Sequence, residues 1–553
     1  PWLKLTNTTG IDFTNRIDQE TVPPASSGGP TSGFADDPEG KRTSNPFQLF
    51  VYTLNTNATG TFDLNPTVRS TTSVGVQFND EIARGTLAFG QKLLAGSSTL
   101  SGAATLFTAT ETNTENRLIG GYVQEQIGWR DRVFVTAALR GDKNSAFGKS
   151  FKFIQYPAAS VSWVVGDESF FPRQRFVSSL RLRSAFGESG QRPGVRDAIK
   201  FYAPVSVTVN NASEAGFTVG GIGNINLKPE RTREFEGGFD AGLLRDRINL
   251  EFTGYAKTTH DALILRPLGP SNGNVLSRFE NLGQVSNKGI EMLVNGKILT
   301  RAKVDWDVTL NSSWNVNKVV DLGSGIKPIV FGANSDQRHQ NGYPLGAYFV
   351  RPITSYKDID GNGYLSRVNC PGQPVIAGGP ACEITLGDSA LYAGSPFPTR
   401  EFAISSRLNL FKRFTFNAVI DHRGGQKLLN FTEYFRCASF GNCQTANDAK
   451  SPFVDQAAYL SALMGSDAGY VQDASFTKLR ELSLRVDIPE SWSRKARVRG
   501  LALTVAGRNL HTWTNYKGLD PEINENGQAN FQTDEFLSQP LVRFWTFRLD
   551  INW

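Results

Sequence analysis

The sequence predicts an all-β protein and, within that class, a transmembrane antiparallel β-barrel. Three observations carry this: polar and apolar residues alternate with a period of two, connections alternate between short and long, and no apolar run approaches the ~18 residues a spanning helix needs. The alternation is plainest at the end of the chain. Between Arg543 and Trp553, Trp545, Phe547, Leu549, Ile551 and Trp553 fall on one side and Thr546, Arg548, Asp550 and Asn552 on the other. Successive side chains of a strand point to opposite faces, so one face can meet hydrocarbon and the other water.

Earlier segments repeat the scheme. Ile248, Leu250, Phe252, Gly254 and Ala256 alternate with Asn249, Glu251, Thr253, Tyr255 and Lys257. Val304, Trp306, Val308, Leu310 and Trp314 alternate with Asp305, Asp307, Thr309, Asn311, Ser313 and Asn315. A helix would scatter those carboxylates around its circumference. The alternation places Val304, Trp306, Val308 and Leu310 towards lipid, and Asp305, Asp307 and Thr309 towards the lumen. Leu482 to Ile488 and Leu501 to Gly507 follow the same rule. Counting such segments gives roughly sixteen to eighteen strands, with the first hundred residues the hardest to divide.

The connections sort by length. Short ones fall at Arg130 to Arg132, Arg245 to Arg247, Thr300 to Lys303 and Phe411 to Arg413, and long polar ones at about 261 to 287, 320 to 396, 424 to 470 and 511 to 540. Short turns on one side and long loops on the other are the habit of an outer-membrane barrel, with periplasmic turns and extracellular loops.

Composition narrows the class further. Hydrophobic residues make up 39% of the 553, too few for a helical membrane protein, whereas lumen faces and loops of a barrel absorb polar residues. A closed sheet also removes the need to divide so long a chain, and residues 1 to 553 read as one barrel domain. The 38 Phe, 14 Tyr and 9 Trp suit aromatic girdles at two interfaces, and suit ordinary sheets as well. Net charge is +6 and no basic stretch stands out, which gives nucleic-acid binding no support. No metal spacing joins the four histidines, no nucleophile turn of the G-x-S-x-G type occurs, and Asp305 with Asp307 reads as lumen wall rather than a catalytic pair, so no enzyme is expected.

Two loop features have chemistry. The four cysteines form two local pairs, Cys370 with Cys382 and Cys437 with Cys443, each inside a long loop. Paired loop cysteines suit an oxidising exterior, against the alternative of four separate thiols. The run Asp358-Ile-Asp360-Gly-Asn362-Gly-Tyr364 sets oxygen ligands two residues apart, as the opening of a calcium loop does, with Asp358, Asp360, Asn362 and the Tyr364 carbonyl as the expected ligands. The twelfth position is Asn369 rather than a bidentate acid, so Glu383 or Asp388 would have to swing in; the same run also serves as a metal-free surface turn.

Several stretches resemble the SusC and RagA family of TonB-dependent outer-membrane transporters. They are Arg132 to Asp142, Tyr156 to Trp163, Leu180 to Gly190, Leu227 to Asp240, Asn281 to Glu291, Phe476 to Leu484, Gly507 to Leu510 and Tyr516 to Glu522. The resemblance implies a 22-stranded barrel of which this chain is the C-terminal part, with the plug domain and N-terminal extension lying outside it. It further implies active import of glycan oligomers or peptides captured at the extracellular loops, energy delivered through TonB, a SusD-like surface lipoprotein as partner, and residence in the lipid of a Gram-negative outer membrane. The competing reading is a passive pore, or a scaffold or adhesin barrel, without TonB.

Overall fold

The computed structural model describes residues 2–24, 39–148, 153–172, 176–269, 277–495, 497–526 and 531–553. Sixteen strands form one large sheet whose spatial order follows the chain, from Leu3–Val22 to Phe544–Asn552. The described pairings within it are antiparallel. Among the described residues no helix is long and apolar enough to cross a membrane.

The first hundred residues, where the pattern is weakest, supply some of the longest strands: Lys41–Asn65, Val68–Leu93 and, just beyond, Ala103–Trp129. Their Thr, Asn and Gly content blurs the apolar signal, but each backbone still completes its ladder with its neighbours. The turn between the first two is set by Asn65, whose Oδ1 accepts from Thr67 N at 2.9 Å. At the Arg130 and Phe411 hairpins both central residues have positive φ: Arg130 and Asp131 at 50° and 53°, Phe411 and Lys412 at 54° and 58°. This mirror-image turn matches the right-handed twist of the flanking strands.

One expectation needs correction. Residues 261 to 287 read as a loop, but strand Ile248–Pro267 runs on and Ser277–Arg301 begins early. The sequence Ala262-Leu-Ile-Leu265 breaks alternation, which hid the strand; the backbone bonds do not depend on it. Residues 270–276 of that stretch lie outside the described residues.

Contacts group the chain into two compact units. In the first, comprising Pro1–Val161, Ala185–Arg233 and Asp261–Asn281, register lines up Leu5, Ala58, Val74, Val123 and Leu139 as an apolar row across five strands. The adjacent row is Thr6, Asn57, Gly75, Tyr122 and Arg140, and Tyr122 Oη donates to Asn57 Oδ1 at 3.1 Å. Leu5, Val74, Val123 and Leu139 are exposed, as side chains meant for lipid are.

The second unit, Ser162–Ser184, Glu234–His260 and Leu282–Trp553, shows the same two-row logic across six strands. Trp306, Leu408, Phe416, Leu484, Val505 and Phe547 stand side by side. One residue over stand Asp307, Arg407, Asn417, Ser483, Ala506 and Thr546. A one-residue slip would bring the neighbouring row, with Asp307, Arg407 and Asn417, into the apolar one, so the alternation itself fixes register.

Candidate functional site

Three long connections of the second unit, 322–399, 425–475 and 515–543, fold into a packed body of their own. Their polar composition reads as loop, yet they hold helices Phe431–Ala438 and Phe453–Leu463 and several short strands. Two apolar clusters form its core. Tyr348, Leu429, Cys437, Cys443, Ala462 and Tyr470 make one, and Leu365, Cys370, Ile384, Ala457 and Leu460 the other. Each cluster contains a disulfide, Cys437 to Cys443 and Cys370 to Cys382, so the two local cysteine pairs are indeed joined. Closing such rings limits the freedom of the unfolded loop, worth about 3 kcal/mol in the chain-entropy model for a ring of about fifteen residues.

Buried polar residues tie the connections together. Gln337 Nε2 donates to the Gly346 carbonyl at 2.8 Å and to the Phe531 carbonyl at 3.1 Å, while its Oε1 accepts from Thr533 N at 2.9 Å. Tyr348 Oη donates to the Thr533 carbonyl and accepts from Leu429 N at 3.2 Å. The fully buried Glu535 accepts from Thr432 Oγ1 at 2.6 Å, Leu519 N at 2.9 Å and Tyr516 Oη at 3.2 Å. The sequence did not single out Gln337, Tyr348 or Glu535, because most of their contacts join segments far apart in the chain.

The Asp358 to Tyr364 run forms a tight turn. Asp358 accepts from Gly361 N at 2.7 Å and Gly363 N at 3.0 Å, and Asp360 Oδ1 from Asn362 N at 3.1 Å. Gly361 and Gly363 take φ of +74° and +85°, which explains glycine at both positions. Carboxylate oxygens of Asp358, Asp360 and Glu383 come within 4.8 Å of one another. Glu383, a residue the spacing held only in reserve, is buried and accepts from Ile359 N at 2.6 Å and Ser366 N at 2.8 Å. Asn362 turns elsewhere: its Nδ2 donates to Asp360 Oδ2 at 2.9 Å and its Oδ1 accepts from Tyr364 N at 2.7 Å. A second grouping, Glu433 with Cys437 and Cys443, is not a metal centre, since both sulfurs are spent in the disulfide.

At the base of the body lies an ion network missed by the sequence reading. Lys478 Nζ meets Asp520 at 2.7 Å and Glu522 at 2.9 Å, and Arg480 bridges Asp421 and Glu522, each at 2.7 Å. Lys478 is 3% exposed, so its charge is sustained only by these partners. Burial works against the Glu522 charge, but the hydrogen bonds from Arg480 and Lys478 outweigh it and hold the carboxyl down to about 2. The signal was present in part: Phe476 to Leu484 and Tyr516 to Glu522 stood out as separate segments, and folding brings them together.

A cavity of about 580 Å³ opens on the polar face of the second unit, lined among others by Glu251, Thr253, Glu291, Asn311, Ser313 and Asp421. Four of the residues assigned to the watery side, Glu251, Thr253, Asn311 and Ser313, thus line one cavity. It can hold water or hydrophilic surface; no nucleophile and base are poised in it.

A family model described as "TonB dependent receptor-like, beta-barrel" matches residues 1–364. TonB-dependent receptor P3 of Formosa agariphila is 26% identical over 485 residues, covering 82% of this chain and 47% of that protein. TonB-dependent receptor SusC of Bacteroides thetaiotaomicron is 24% identical over 480 residues, covering 81% and 45%. The chain therefore spans about half the length of the curated relatives it matches. Among solved structures, the RagAB peptide transporter superposes with a TM-score of 0.76 at 19% identity, covering 99% of this chain and 60% of that one, a likeness of fold.

Proposed function

The chain belongs to the TonB-dependent receptor-like β-barrel family, outer-membrane proteins of Gram-negative bacteria, and on that premise we propose that it serves TonB-dependent uptake of oligomeric cargo. Its named relatives are receptors and transporters rather than enzymes. The observation that carries the reading is the loop body: three long connections, all from the same side of the strands, build one disulfide-braced surface suited to capture. Peptides and glycan oligomers are the cargo classes we propose, the first suggested by the likeness to the solved RagAB peptide transporter, and a SusD-like surface lipoprotein is the partner that the family resemblance implies. The test is uptake by cells carrying the full-length protein with and without TonB. Uptake should vanish without TonB; unchanged uptake would make the protein a passive pore.

Calcium belongs to the same reading. Three hard carboxylate ligands gather at Asp358, Asp360 and Glu383, and the expected set of Asp358, Asp360, Asn362 and Tyr364 shifts accordingly, with Glu383 in place of the Asn362 side chain. Calcium is expected to protect the 357–386 segment from protease, and Glu383→Gln to abolish that protection. Protection unaffected by calcium in the unsubstituted protein would remove the metal from the proposal.

A further inference from the structure

The four-stranded sheet of Ile329–Phe331, Gln337–His339, Ala347–Val350 and Leu391–Gly394 has two unlike faces. Gln337 and Tyr348 oppose each other on the inner face, both buried in the loop core. The opposite face follows from the same register, with Ala347 and Phe349 buried in it. Val330 opposes Arg338, Arg338 opposes Ala347, and Phe349 opposes Tyr392. Arg338 lays its guanidinium 4.1 Å from the centre of the Phe349 ring. Tyr343 completes the floor, its ring 5.0 Å from Phe349 and 5.2 Å from Tyr392. Val330 and Tyr392 are exposed at the margins.

Arg338 is the unexplained member. A guanidinium stays charged at every physiological pH and offers five donors in a rigid fork. Other arginines of the loop body spend theirs: Arg351 donates to the Met464 carbonyl and Arg367 to Gln373 Oε1 at 2.7 Å. Arg338 has no hydrogen bond or ion pair with any described residue, and its Nε is closed off from solvent without an acceptor. The carboxylate closest in sequence, Asp336, points instead at Gly332, where an added Cβ would come 2.3 Å from Asp336 Oδ1. An aromatic floor that fixes the fork's plane, with polar Tyr392 at its rim, leaves an anion of matching planar shape as the missing partner.

We propose that this face binds a carboxylate carried by the cargo, gripped by the Arg338 fork above the Tyr343, Phe349 and Tyr392 rings. The proposal rests on the uptake reading, since the face belongs to the loop body that captures cargo there. Two sources share this chemistry, the C-terminal carboxylate of a short peptide and the uronate of an acidic glycan. Both would present a flat, doubly accepting group, and the rings would cover the adjoining side chain or sugar face.

The test is a titration of the full-length protein in detergent with N-acetyl-alanyl-phenylalanine, its C-terminal amide, trigalacturonic acid and its methyl ester. At least one acid should bind more tightly than its neutral counterpart, and Arg338→Gln should weaken that acid about tenfold or more while leaving the neutral form unchanged. Response by the peptide pair alone assigns a peptide carboxylate, and by the uronate pair alone an acidic glycan. Arg338→Lys keeps a cation over Phe349 but loses the fork, and should lose most of the preference. Lys450→Gln, which removes an exposed loop charge elsewhere, should change nothing. No acid preference with any pair, no binding at all, or equal loss in Lys450→Gln would overturn the proposal. Binding in detergent needs no TonB, so failure here is distinct from failure of the uptake experiment.

Discussion

Asp336 makes the loop body sensitive to pH. It is 3% exposed and neither carboxylate oxygen has a hydrogen-bond partner among the described residues. Burial first, then the charge of Asp467, pushes its carboxyl from 3.8 up to about 7, and burial likewise pushes Asp467 up to about 6. The folded body therefore holds protons that an opened one releases. Stability from this source is complete below the ordinary carboxylate value and is lost as pH rises through about 7. Segments 331–339 and 467–471 should resist protease better near about pH 5 than near about pH 8, after correction for the protease's own pH profile. Asp336→Asn mimics the protonated side chain and should flatten most of that difference. The same slope in both proteins would show that Asp336 is not the group responsible.

The strands owe their sidedness to register. In Val304–Asp321, Val308 stands between Gly296 and Ser406, while Thr309 stands between Asn295 and Ser405 and accepts from Asn295 Nδ2 at 2.8 Å. If the row containing Val308 meets hydrocarbon, an arginine there near mid-membrane costs ~2 to 4 kcal/mol, and one at Thr309 far less, because water reaches it. Val308→Arg should reduce the fraction of folded, heat-modifiable protein sharply and Thr309→Arg only slightly. Equal losses would sink the assignment of faces. Loop elements obey a different rule. The connections closed by disulfides hold small apolar clusters, and their stability comes from these, from cross-linking and from buried hydrogen bonds as well as from short ladders.

At the scale of the molecule these two kinds of order divide the work. The sheet supplies a wall with one apolar and one polar side, and on the proposed function the loop body supplies the surface for recognition. Uptake then makes two separable demands. Capture at the loops should persist in cells lacking TonB, because it uses only binding energy, whereas passage should stop, because the outer membrane holds no gradient of its own. Surface-bound cargo without accumulation inside is the expected result of the two-strain comparison.

How much of this was legible in the chain follows from the range of each interaction. Val304 to Trp314 and Trp545 to Trp553 declared strand and barrel class by themselves, because a side-chain period of two is a local property of the backbone. Cys370 with Cys382 and Cys437 with Cys443 could be paired for the same reason, each partner lying within a dozen residues. The oxygen run at Asp358 marked a shaped loop, yet Glu383 joined it only through the fold. Lys478 with Asp520 and Glu522, Tyr348 with Thr533, and Arg338 above Phe349 left no periodic trace. Their meaning depends on which distant segments meet and on which charges the meeting leaves without a partner, and burial in three dimensions decides that.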